Sequence, residues 1–288
     1  MRAVRTELVV VLGDRTYAVE RPWGAVPERL RLGGVAGAAV DSGDRVYVLQ
    51  RRDPPILVFE RDGSYLGSWG SGVIADGSAI SIGAGDRVLV TDRDAHQVLV
   101  FDRDGTLQAA LGERHRPRFN APFNHPAAAT FAPDGGIYVA DGYGNACVHR
   151  FGADGELLRT WGRPGSGPGE LVSPLGIAVD RAGRVLVTDA VNNRVQVFTA
   201  EGDWVAEWTD FWRPLDVWVD AAGLAYVTDQ IPRLSLLAAD GTLRGRCRPV
   251  YHTPLTVRGD SHGDLYFAEG PADRVSKLVR LPAAASPA

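Results

Sequence analysis

Two cysteines, Cys147 and Cys247, are the only thiols in this chain of 288 residues, and they fall in different repeat units. That scarcity excludes a disulfide framework and a cysteine-rich zinc site. Methionine occurs once, against 34 glycines and 18 prolines, which fits a turn-rich β protein rather than a helical one. Long apolar runs are missing too. The N-terminal "ELVVVLGD" has only about five apolar residues before Gly-Asp, too few for a signal-peptide core or a membrane span. The expectation is a soluble, cytoplasmic protein with no membrane partner. A net charge of −4 gives no broad electrostatic footing for nucleic acid. No Gly-x-Ser-x-Gly elbow, phosphate-cradling loop or EF-hand spacing occurs; "RPGSGPGE" is glycine-rich but leads into a strand.

What is present is repetition. Aligning on strands that end in an acid gives "RVYVLQRRD", "RVLVTDRDAHQVLVF", "GIYVADGYGNACVHRF", "RVLVTDAVNNRVQVF", "LAYVTDQIPRLSLL" and "DLYFAEGPADRVSKL". Their anchors are Gln50, Asp92, Asp141, Asp189, Asp229 and Glu269, spaced 42, 49, 48, 40 and 40 residues apart. Each unit adds an apolar segment before this strand, as in "PLGIAVD", and a third and fourth strand after it, the last two joined by Asp-Gly or Glu-Gly. Such turns suit hairpins, because glycine accepts positive φ. Four short antiparallel strands repeated at this period are propeller blades. The sixth unit lacks a fourth strand, and "GDRTYAVERPWG" at 13–24 has the form of "GSYLGSWG". The predicted fold is therefore an all-β, six-bladed propeller in one domain, 1–282, closed by the N-terminal strand, with 283–288 as a flexible tail. Closure removes an edge that would otherwise invite pairing with another chain; the expected state is a monomer.

In a propeller, the connection entering the first strand and the turn leaving the second share one face. That face should collect Arg51, Arg52, Arg93, Phe123, Trp212, Arg213 and Tyr251, read here as substrate-binding residues. It should also collect Tyr143, His125 and His252. The 113–125 segment, "ERHRPRFNAPFNH", is basic and aromatic, and reads as a pocket wall or lid. An aromatic cup with several arginines suits a small, carboxylate-bearing ligand. His125 and His252, just before blade entries, are the proton-transfer candidates. His96 reads as structural, while His115, His149 and His262 show no partner pattern.

"VTDRDAHQVLVFD", "FNHPAAATFAPDGGIYVADGYGN" and "WGRPGSGPGELVSPLGIAVDRAGRVLVTDAVNNRVQVF" resemble NHL-repeat propellers and, more narrowly, the peptidyl-α-hydroxyglycine α-amidating lyases. The likeness is close over 87–198. It implies a channel zinc on three histidines, a tyrosine after Asp-Gly acting on the substrate hydroxyl, and arginines holding its carboxylate. Tyr143 matches that tyrosine and Arg51 one arginine. The three histidine positions carry Asp76, Leu175 and Leu255 instead, and the second arginine position carries Ala190. Leucines cannot ligate zinc and one carboxylate is not a site, so no cofactor is expected, with Asp76 the sole weak metal candidate. Two readings follow. One is a metal-independent, lyase- or isomerase-like enzyme using Tyr143 with His125 or His252. The other is a non-catalytic binding module for a small ligand, peptide or protein. They part on whether Tyr143 and an imidazole reach one open cavity.

Overall fold

The computed structural model describes residues 8–250 and 252–282; Tyr251 and the 283–288 tail lie outside the described residues. Six antiparallel sheets surround a central channel. The inner strands are Val35–Val40, Gly77–Ile82, Ala128–Phe131, Pro174–Val179, Pro214–Val219 and Thr256–Gly259. Second and third strands are buried nearly throughout, because both faces of each blade pack on a neighbour. Outer strands such as Leu157–Trp161 bury little beyond their terminal tryptophan. The core accordingly lies between blades: Tyr138, Val148 and Trp161 of blade three meet Ile177, Val185 and Phe198 of blade four.

Arg15–Trp23 pairs with Arg274–Arg280 and closes the ring as the fourth strand of blade six. Trp23 then packs against Phe59 of blade one, with ring centroids 5.7 Å apart. One feature differs from expectation. The apolar Val9–Leu12 folds back on 15–18 as a fifth strand, because Gly13, at φ +63°, allows a hairpin there.

The Asp-Gly and Glu-Gly turns do more than reverse the chain. Gly202, in the turn between the last two strands of blade four, sits at φ +88°, and a Cβ there would lie 2.5 Å from the Trp161 indole of blade three. Gly105 stands in the same relation to Trp69, and Gly241 to Trp208. The tryptophan ending one blade and the turn glycine of the next are thus two halves of one blade-to-blade contact. Gly202→Ala combines a left-handed penalty of about 1–2 kcal/mol with overpacking against a buried ring, typically about 1–3 kcal/mol. A loss of about 2–4 kcal/mol is expected in calorimetry. The same substitution at Gly72, where a Cβ meets nothing within 4 Å, should show the backbone part alone.

The acids that define the repeat are structural. Asp92 accepts the backbone N–H groups of Ala75 and Asp76, both at 2.8 Å. Asp189 takes that of Val172 at 2.7 Å and Asp229 that of Trp212 at 3.3 Å. Each buried carboxylate pins the connection entering its own blade, which explains why the acid recurs at one register. The connections so pinned surround the mouth of the channel.

Candidate ligand channel

A cavity of about 370 Å³ occupies the channel on the face where the second strands end. Its narrow ring takes one residue from each inner strand or the connection just before it: Ala36, Ser78, Ala127, Leu175, Leu215 and Leu255. Blades one to three contribute small side chains and blades four to six leucines. Space therefore opens towards the first three blades. The wall is aliphatic rather than the aromatic cup expected; Tyr143 is the one aromatic lining it among the described residues.

The rim over that open side is polar. Arg51 lines the cavity and places Nε 3.1 Å from Asp76 Oδ1. Arg93 Nη2 approaches Asp76 Oδ2 at 2.5 Å without hydrogen-bond alignment. The Arg93 guanidinium also lies 5.4 Å from the Tyr143 ring centroid, a cation–π distance. Burial raises the Asp76 carboxyl above its ordinary value, against the pull of both arginines. Tyr143 is 52% exposed, and among the described residues its hydroxyl has no hydrogen-bond partner. The Asp-Gly-Tyr sequence produces this placement. Gly142 follows the buried Asp141, and a Cβ on it would lie 1.7 Å from the Pro174 carbonyl, so only glycine lets the chain turn there and carry Tyr143 to the channel.

The remaining candidates separate. His125 holds Asn124 Oδ1 through Nδ1 at 2.9 Å and stacks edge-on against His96, 4.3 Å away. His252 is exposed, 3.2 Å from Arg274. Neither lines the cavity. Phe123 is completely buried, packed on His149 and Phe151 within the sheet interior; its apolar ring went to the core, not to a ligand wall. Arg52, Trp212 and Arg213 stay on the face but outside the cavity, and Trp212 is 54% exposed.

A second charged pair, not anticipated from the sequence, lies deeper. Asp216 accepts from Arg258 Nη1 at 2.5 Å and from the Val257 N–H at 3.1 Å. Arg258 also lines a second cavity of about 180 Å³ at the far end of the channel, so this pair forms the waist between two chambers. Its signal was present: "PLDVWVD" carries Asp216 where "PLGIAVD" carries Gly176, an acid in an otherwise apolar inner strand.

The zinc implied by the amidating-lyase resemblance does not fit. Gly77 pairs with Asp92 as Pro174 pairs with Asp189, so Ser78, rather than Asp76, stands level with Leu175 and Leu255. A ring of alanine, serine and leucine offers no imidazole, thiolate or carboxylate. Asp76 is instead engaged by two arginines.

An all-β ring with a small apolar channel, polar at its rim and waist, belongs to the six-bladed propellers. The NHL repeat matches residues 123–151 and 171–198. NHL repeat-containing protein 3 of Homo sapiens is 30% identical over 295 residues, covering 92% of this chain and 84% of its own. The chain belongs to this NHL repeat-containing family. Among solved structures, a streptogramin B lyase superposes with a TM-score of 0.66 at 13% identity, over 92% of this chain and 98% of its own. A gluconolactonase from Xanthomonas campestris gives 0.67 at 16% identity, over 96% and 99%. Both likenesses concern the fold alone. No helix among the described residues is long and apolar enough to cross a membrane.

Proposed function

We propose that this propeller is a binding module whose channel takes a small molecule with a compact apolar body and an anionic head, such as a carboxylate. The observation that carries this reading is the asymmetric cavity. Leucines wall one side, and Arg51 with Tyr143 stands over the open side, while both candidate imidazoles lie outside. The charged groups of the channel are paired with one another, Asp216 with Arg258 and Asp76 with Arg51 and Arg93. That is the arrangement of a site that recognises rather than transforms. Arg51 is the anion anchor, since its guanidinium is only partly engaged by Asp76 and is 43% exposed.

Octanoate and its uncharged counterpart octanol test this directly by thermal shift and calorimetry. Octanoate is expected to bind and raise Tm, and octanol to do so much less. Arg51→Gln should weaken octanoate about 10- to 100-fold, the range for losing a charged hydrogen bond. Equal binding of acid and alcohol, or an unaltered Arg51→Gln, defeats the proposal.

A catalytic reading rests on the unpartnered Tyr143 hydroxyl, and the lyase and gluconolactonase among the structural neighbours make it worth separating. There Tyr143 would move the proton and Arg51 hold the developing oxyanion. Glucono-δ-lactone turnover followed by NMR, in wild type and Tyr143→Phe, distinguishes the two. Turnover abolished by removing one oxygen supports catalysis.

A further inference from the structure

Blade three departs from the others at one buried place. In blades four, five and six an arginine on the third strand faces the acid that ends the second. Arg194 Nε lies 2.9 Å from Asp189, Arg233 Nε 2.6 Å from Asp229, and Arg274 Nε 3.0 Å from Glu269. Blade three keeps the acid, Asp141, but puts Cys147 in the arginine's place and His149 two residues on. All three side chains are buried, His149 and Asp141 completely. Blade two, also without arginine, offers Gln97 and Leu99 at these positions, and neither ligates a metal.

We propose that Asp141, Cys147 and His149 form a buried binding site for a divalent transition metal, zinc by donor type. Their ligand atoms all lie within 4.8 Å of one another. His149 Nε2 is 3.2 Å from Asp141 Oδ2 and 3.5 Å from Cys147 Sγ. With bonds of about 2.0–2.3 Å, donors around a tetrahedral zinc stand about 3.3–3.6 Å apart, so both His149 contacts already stand at ligand spacing and the Asp141–Cys147 span, within 4.8 Å, is the one left to close. The outer shell is built as well. Thr160 Oγ1, 2.8 Å from His149 Nδ1, fixes the ring with Nε2 towards the site. Asn145 Nδ2, at 2.7 Å, and the Asn124 N–H, at 3.0 Å, hold the carboxylate. Phe123 packs edge-on to the imidazole and shields it from bulk solvent.

Charge also balances. A dication, a thiolate and a carboxylate sum to zero, which suits a buried site better than a carboxylate without a counter-charge. Strand pairing brings the three ligands together only in the folded chain, so uptake coincides with folding. Three protein ligands leave the fourth position to water.

The test is expression in zinc- or cobalt-supplemented minimal medium, followed by elemental analysis and absorption spectroscopy of the purified full chain. One zinc per chain is expected, reduced at least tenfold in Cys147→Ser and His149→Gln and unchanged in Cys247→Ser. The cobalt form should show a thiolate-to-cobalt charge-transfer band, which requires sulfur in the first coordination sphere. Should the variants fail to fold, the wild-type cobalt spectrum decides alone. Negligible metal with no such band overturns the proposal and leaves a plain histidine–aspartate hydrogen bond. Metal retained in soluble Cys147→Ser overturns it too, by placing the ion elsewhere.

Discussion

Arg194→Leu is expected to destabilise the protein by about 3–5 kcal/mol, the range for removing one partner of a buried ion pair. Arg194 is 6% exposed and spends its guanidinium on four acceptors: Asp189 at 2.9 Å, Glu207 at 2.7 Å, and the carbonyls of Gly167 and Glu170 at 2.8 and 2.9 Å. Leucine fills much of the volume but leaves Asp189 ionised without its cation and takes one donor from each of two loop carbonyls, which keep only the Glu170 N–H and Gln196 Nε2. The loop 163–171 and the strand pairing of blade four should loosen together. Arg163→Leu is the comparison. It removes the exposed pair with Glu170, 3.0 Å apart, and should cost under about 1 kcal/mol. Thermal denaturation of both checks the contrast; equal losses would mean that burial does not set the value of these pairs.

The waist of the channel carries the second large effect. Asp216→Asn leaves Arg258 without its counter-charge, and Arg258→Leu leaves Asp216 without its own. Each single substitution is expected to cost about 3 kcal/mol, at the low end of the range because the Arg258 side chain is still 14% exposed. The double variant should lose far less than the sum, since asparagine can still accept the Val257 N–H and no buried charge remains. A double-mutant cycle measures this directly. Additive losses would show that the two side chains act independently despite their contact. Octanoate binding should persist in the double variant if Arg51, at the rim, is the anchor.

The fold was legible because a propeller writes itself several times. Gln50, Asp92, Asp141, Asp189 and Asp229 recur at one register because each accepts a backbone N–H from the connection entering its blade. Closure by the N-terminal strand could be read from the missing fourth strand of the last unit. The extra strand Val9–Leu12 could not, since a short apolar run carries no periodicity that separates strand from unpaired chain.

The site was legible only in part. Tyr143 and Arg51 line the channel, as their places after the second strands imply. His125, Phe123 and Arg213 come from the inter-blade connections, whose side chains can face the channel, the face or the core with little change in sequence. A histidine and a phenylalanine two residues apart, Phe123 and His125, went to different surroundings for that reason. The register of Ser78 against Leu175 was likewise settled by the ladder, which pairs Gly77 with Asp92 as it pairs Pro174 with Asp189.

By itself, then, the sequence determined the number of blades, their strand order and the closure, all of which follow from local patterning repeated along the chain. Only the tertiary structure decided which side chains share a space. The leucine wall, the Asp216–Arg258 waist and the Asp141–Cys147–His149 cluster each join residues through strand pairing or across blades. Their proximity is fixed by the ring's geometry, which no single segment encodes.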